Sequence, residues 1–376
     1  MQYRTISADG HIDMAWMPRD IFLDAAPGKW KSRVPHVEET ENGPRWFAEG
    51  VEMGVHRGPA FTVQIPEEDH WSNRIRRMYD VGFFDGQPHP ASPELRKKDQ
   101  QIDGVDAEVI YGILGTGMHL EDKDLVTLVY RIYNEWASDF CKVYPDTFFA
   151  LACIPNHDPE IASAELRHAA SLGLRGADFH VNTAALPVWH RSWDQLWATA
   201  ADCHMSISFH STGGSVRQAN DDQMAKEYQL QLMGTGVSMF QLSAAEYLAA
   251  IIVSGALERY PNLKFVLGES GVGWIPFVLG RLDIQYEDRL TDLHFKMLPS
   301  EYWRRQGYST YQYEPIVADL VDLIGQDNIM WGSDYPHPDG VWPDSQKFIE
   351  GDLGRLDIAV RNKIVRDNAA SLYRIT

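Results

Sequence analysis

Asp, His and Glu recur in this chain just where short apolar runs end. Asp9 and His11 follow the run that starts at Tyr3, His180 closes the run from Leu174, and His210 closes the run from Met205. Glu269 follows residues 263–268, and Asp334 follows residues 328–333. Imidazoles and carboxylates are the side chains that ligate divalent metals and move protons near neutral pH. In an extended strand residues i and i+2 face the same way, so Asp9-Gly10-His11 can send both side chains to one side. The intervening Gly10 leaves room for close approach. His11-Ile12-Asp13 has the same spacing, which leaves the register open. Asp334 lies in Trp331-Gly-Ser-Asp-Tyr-Pro-His-Pro338, where the prolines stiffen the chain's exit from the last run. Singly, each of these residues reads as well as a core, cap or turn residue. Jointly they ask for a common centre. Two neutral imidazoles with two carboxylates satisfy one divalent transition metal and leave a position open. Zinc is expected first, and manganese, iron or cobalt accept the same donors.

Something must bring these distant residues together, and the apolar runs are the means. Eight can be counted, near residues 4–9, 107–113, 149–154, 174–180, 205–210, 263–269, 306–312 and 328–334. Short runs of continuous apolar character suit strands buried on both faces of a parallel sheet. Helical periodicity fills the intervals. Leu125, Val129, Ile132, Trp136 and Phe140 recur at spacings of three and four, and Asp158 precedes Pro159 as an N-cap precedes the first helical residue. A further helix is expected from Ser243 to Glu258, since Pro261 forbids its continuation. Eight strand–helix repeats predict an α/β fold, a closed (β/α)8 TIM barrel, as one domain over residues 1–376. Barrel enzymes build their sites at the C-terminal ends of the strands, which is where the His, Asp and Glu residues fall. Residues 14–100 are too long for an ordinary connection, so a cap with its own short elements is expected there. Residues 211–242 read as a second long loop above the barrel mouth.

Composition narrows the partners. The 376 residues are 44% hydrophobic and 23% charged, as in an ordinary globular protein, and can bury a large core. A net charge of −19 argues against nucleic acid or an anionic membrane, which attract basic surfaces. A small-molecule substrate is expected instead. Three scattered cysteines, Cys141, Cys153 and Cys203, suit a reduced cytoplasmic setting better than a disulfide framework. The first residues lack a signal peptide's apolar core, and no apolar run of membrane-spanning length is expected.

Asp9-x-His11, Phe179-His180-Val181-Asn182, Phe209-His210, the run from Asn262 to Arg281 and Gly332-Ser-Asp-Tyr-Pro336 together resemble the amidohydrolase superfamily. The resemblance is to its branch typified by aminocarboxymuconate semialdehyde and γ-resorcylate decarboxylases, and it covers residues 105–376 in order plus the first strand. It implies that His11 and His180 are metal ligands, that Asp334 is a ligand or a base, and that Asp9 fills a first-strand ligand position. It implies that His210 moves a proton or orients the substrate. Arg281 would reach a substrate carboxylate across a homodimer interface. Glu269 departs from the pattern, standing where the decarboxylases have His, and serves as general acid or further ligand. The implied reaction is metal-dependent, non-oxidative decarboxylation of a small carboxylated aromatic or dienoic acid. The alternatives are hydrolysis of an amide, ester or lactone on the same residues, and a non-catalytic metal-binding barrel.

Overall fold

A computed structural model describes residues 3–56, 73–211 and 227–376. Its strands are β1 (Ile6–His11), β2 (His36–Thr40), β3 (Gly43–Ala48), β4 (Val51–Val55), β5 (Ala107–Tyr111) and β6 (Phe148–Ala150). They continue with β7 (Ala152–Cys153), β8 (Gly176–Asp178), β9 (Ser206–His210), β10 (Phe265–Gly268), β11 (Gly307–Tyr311) and β12 (Ile329–Trp331). All eight expected runs are strands. The run near 149–154 forms two, β6 and β7, separated at Leu151, whose N–H donates to the Ile110 carbonyl at 2.8 Å.

Every pairing among these eight runs is parallel. β1 pairs with β5 and β5 with β6, while β7 through β12 pair in chain order. The ring closes between the exit of β12 and β1. Asp334 N–H donates to the Asp9 carbonyl at 2.9 Å, and His11 N–H donates to the Tyr335 carbonyl at 2.7 Å. Gly332 permits that approach, since a Cβ there would lie 2.4 Å from the Asp9 Cβ. The fold is an α/β TIM barrel. Its strands are buried on both faces, β1 and β5 throughout their length, which is why their sequences read as unbroken apolar runs.

The helices form where periodicity and caps require them. Lys123–Val143 buries Leu125, Val129, Ile132 and Phe140, and the Asp122 side chain accepts from the N–H groups of Asp124 and Leu125. Pro159–Ser171 starts after Asp158, which caps Glu160 and Ile161 in the same way. The helix expected over 243–258 divides at Ser254-Gly255 into Ser243–Val253 and Ala256–Arg259.

Between β1 and β5 the described residues hold an antiparallel sheet, β2–β3–β4, and helices Asn73–Asp80 and Pro93–Asp103. Residues 57–72 of the expected cap lie outside the described residues. So do residues 212–226 of the expected second loop, and Gln229–Met239 within it is helical rather than a loop. A second expectation is corrected there. The stretch Gln229–Val253 spans 25 residues and holds an 18-residue window of mean hydropathy 1.5, 28% of it buried, so it is long and apolar enough to cross a membrane by length and composition alone. Interspersed Gln, Ser, Thr and Gly hide this from a reading based on unbroken apolar runs.

Candidate metal centre and active site

The C-terminal ends of β1, β9, β10 and β12 bring Asp9, His11, His210, Glu269 and Asp334 together. β1 sends Asp9 and His11 inward from positions i and i+2. His11 Nε2 stands 3.3 Å from Asp9 Oδ1 and 3.1 Å from Asp334 Oδ1. His210 Nε2 lies 3.7 Å from both Asp9 Oδ1 and Glu269 Oε2. Two sets of donor atoms are close enough to share an ion: His11, Glu269, Asp334 and His337, and Asp9, His11 and His210. Glu269 and Asp334 leave their strands at φ 45° and 57°, in the left-handed region. Non-glycine residues there cost conformational energy and concentrate at functional sites.

The orientation of Asp9 is fixed from one side only. Its Oδ2 accepts from the Thr310 hydroxyl at 2.6 Å and from Glu269 N–H at 2.9 Å. Its Oδ1 makes no hydrogen bond, and neither do His11 Nε2, His210 Nε2 or Asp334 Oδ2, although all four atoms are buried. Unpaired buried polar atoms are costly. Two imidazole nitrogens and two carboxylate oxygens left over together form the donor set of a divalent transition metal. His210 Nδ1 is engaged by the Ser211 carbonyl at 2.9 Å, which leaves Nε2 to face the centre.

Excess negative charge governs the protonation of the group. Burial pushes the Asp9 carboxyl up, but His11 and His210 hold it below its ordinary range. Burial also acts on Asp334, where His337 and His11 prevail and bring it down to about 2. His210 is raised to about 10, because Asp9 more than reverses the effect of burial. Glu269 moves well up, through burial first and then Asp334. A dication would supply the positive charge that the His210 imidazole otherwise carries.

Several residues here were not legible beforehand. His337 hydrogen bonds Asp334 Oδ1 through Nδ1 at 2.9 Å and Asp13 Oδ2 through Nε2 at 3.0 Å, and its ring stacks on His11 at 4.2 Å. With both nitrogens engaged, it holds Asp334 in place. Its spacing of three from Asp334 was the available signal. Asp178, fully buried at the end of β8, is raised to about 6 by burial. Tyr111 packs against His11 and edge-on to His210.

Two expected site residues are not among these donor sets. His180 is buried after β8 but belongs to neither set, and its Nδ1 pairs with the Thr183 hydroxyl at 2.8 Å. Arg281 is exposed on the helix Ile275–Arg289. Beside Asp13 opens a cavity of about 230 Å³, lined by Met14, Met53, Val55, Ile113 and His119 among others. It lies between the small antiparallel sheet and the turn after β5.

An amidohydrolase family model matches residues 44–375, most of the chain. The chain belongs to the amidohydrolase family. It is 23% identical over 339 residues to γ-resorcylate decarboxylase of Polaromonas sp. (strain JS666 / ATCC BAA-500), covering 83% of this chain and 98% of that protein. Among solved structures it resembles an amidohydrolase from Mycobacterium avium subsp. paratuberculosis K-10, with a TM-score of 0.74 and 20% identity, covering 99% and 100% of the two chains. It also resembles 5-carboxyvanillate decarboxylase from Novosphingobium aromaticivorans DSM 12444, with a TM-score of 0.68 and 18% identity, covering 99% and 97%. That structure is of a point mutant holding manganese and 3-methoxy-4-hydroxy-5-nitrobenzoic acid.

Proposed function

We propose that this amidohydrolase is a metal-dependent carboxy-lyase that removes carbon dioxide, without an oxidant, from a small carboxylated aromatic or dienoic acid. One observation carries the reading. Buried donor atoms of Asp9, His11 and Asp334 that make no hydrogen bond converge beside His210 and Glu269. Curated relatives of matching length are decarboxylases, which supports the same reaction.

Asp9, His11 and Asp334 are the residues that would hold one divalent ion, with His180 completing the set. Zinc is the proposed metal on the strength of the mixed N/O donors, and manganese, present in the carboxyvanillate enzyme, is the competitor. When bound, the ion supplies Lewis acidity toward the substrate carboxylate and a neighbouring oxygen. Loss of carbon dioxide leaves an electron pair on carbon, which must take up one proton. His210 Nε2 faces Glu269 Oε2 across 3.7 Å, so the pair is placed to hold that proton and deliver it at the centre. Asp334, clamped by His337, stays ionised. The cavity beside Asp13 offers apolar walls for the body of a flat substrate.

A homodimer is part of the proposal. Phe277, Arg281 and Ile284 share one helix face, with Phe277 72% and Ile284 55% exposed. Leu230, Met233 and Val237 form another exposed apolar stripe. Patches of this kind mark contact surfaces, and a second copy covering them would bring Arg281 toward the partner's substrate carboxylate. Three free cysteines support a reduced, cytoplasmic setting.

Incubation of metal-loaded protein with hydroxybenzoic acids, and in parallel with aryl esters and lactones, in ¹⁸O-labelled water tests the reaction. Release of carbon dioxide or bicarbonate with the decarboxylated phenol is expected. Label entering a new carboxylate from an ester or lactone, without carbon dioxide release, would establish a hydrolase instead.

A further inference from the structure

The backbone of the site is fastened from outside the barrel by a buried ion pair. Arg96, on the helix Pro93–Asp103, and Glu108, on β5, are both fully buried, and Arg96 Nε donates to Glu108 Oε2 at 2.7 Å. Arg96 Nη1 donates to the His11 carbonyl at 2.8 Å and to the Pro90 carbonyl at 3.0 Å. Its guanidinium lies over the Tyr335 ring, 4.8 Å from the centroid. One turn along the same helix, Asp99 accepts from the Tyr335 hydroxyl at 2.6 Å. Tyr335 directly follows Asp334, and its carbonyl receives the His11 N–H. The helix therefore grips both sides of the barrel seam, where β1 delivers Asp9 and His11 and the exit of β12 delivers Asp334.

Strand alternation explains why the motif is Asp-Gly-His. Asp9 and His11 face inward, so residue 10 faces the ion pair. A Cβ on Gly10 would lie 2.0 Å from Glu108 Oε1 and 3.1 Å from Arg96 Nη2. The glycine makes room for the charges that hold its neighbours.

We propose that Arg96 and Glu108 are positioning residues which fix His11 and Asp334 in the geometry that binds the metal ion. The inference rests on the reading of the site as a metal centre. Arg96 has a job that charge alone does not fill, since donating to Glu108, His11 and Pro90 together needs the planar fork of arginine. A buried pair of this type is weak evidence for stability as such, and an orienting role is the better account of its retention beside the ligands.

The test is the Mn2+ affinity of the full-length protein, read by chelator competition alongside the melting temperature of the metal-free form. Wild type, Arg96→Lys, Glu108→Gln and the control Arg131→Lys are compared. Arg131, a partly exposed arginine, pairs with the buried Glu165 at 2.6 Å, and its side-chain hydrogen bonds go to Glu165 alone rather than to a site residue. Arg96→Lys and Glu108→Gln should weaken Mn2+ binding by about 10–100-fold, the usual effect of losing an outer-shell support. Arg131→Lys should lower the melting temperature without altering affinity. Wild-type affinity in a folded Arg96→Lys variant would overturn the proposal. If that variant does not fold, Glu108→Gln, which keeps the side-chain shape, decides by the same criterion. A wild-type protein that binds neither Mn2+ nor Zn2+ would instead overturn the metal-centre reading and this inference with it.

Discussion

Replacing Thr310 with Val removes one hydroxyl from the site while keeping the side chain's shape. That hydroxyl donates to Asp9 Oδ2 at 2.6 Å and accepts from Glu269 N–H at 2.7 Å. After the change Asp9 Oδ2 keeps only the Glu269 N–H at 2.9 Å. A hydrogen bond to a charged group contributes about 1.5–3 kcal/mol. In the metal-free protein Asp9 can recover part of that by turning toward His11 and His210. With an ion present its Oδ1 must point at the centre, so the loss falls mainly on the bound form. Outer-shell losses weaken metal binding by about 10–100-fold, which at about 1.4 kcal/mol per tenfold is about 1.4–2.8 kcal/mol. The two scales agree. Chelator competition with Mn2+ gives the affinity, and urea unfolding of the metal-free protein gives the structural cost. Thr310→Ser should restore binding. An unchanged dissociation constant in Thr310→Val would refute the assignment of Thr310 as the group that orients Asp9.

Three further outcomes are expected. Asp334→Asn should abolish turnover and leave a folded protein, checked by product release and circular dichroism. In the metal-free protein His210 has its pKa raised from 6.5 to about 10. A raised folded-state value gives stability that is complete below about pH 6.5 and is lost as pH climbs through about 10. The melting temperature of stripped protein should therefore fall over that window, and His210→Asn should flatten the fall. At the acid end Asp334, lowered from 3.8 to about 2, loses its contribution as pH drops from about 3.8 to about 2. Finally, Val237→Lys, on a residue 58% exposed, should convert a dimer to monomers in sedimentation analysis while leaving metal content unchanged.

The barrel was readable because its strands are buried on both sides, so burial writes itself as short continuous apolar runs. Even the polar-looking seventh strand, Gly307–Tyr311, could be placed by its interval, and it pairs with both neighbours. Residues on strand ends were readable for the same reason: Asp9, His11, His210, Glu269 and Asp334 each follow a run that ends at one rim. Their partners were not. Thr310 meets the site through inter-strand register, which no local pattern encodes, and Asp13, whose spacing from His11 left the register open, reaches it through His337. Arg96 sits 85 positions from His11, in the expected cap outside the motifs that carry the resemblance, and only the fold shows that Gly10 makes room for its ion pair. Gln229–Met239 was mistaken for a loop because its exposed apolar side chains do not face a core, so the usual amphipathic signal is missing.

Anomalous scattering from a crystal of the as-purified protein, recorded together with its elemental content, probes the shared metal centre most directly. One divalent ion per chain is expected, within about 2.0–2.2 Å of His11 Nε2 and of a carboxylate oxygen of Asp334. An ion-free protein, or an ion bound away from His11 and Asp334, would contradict it.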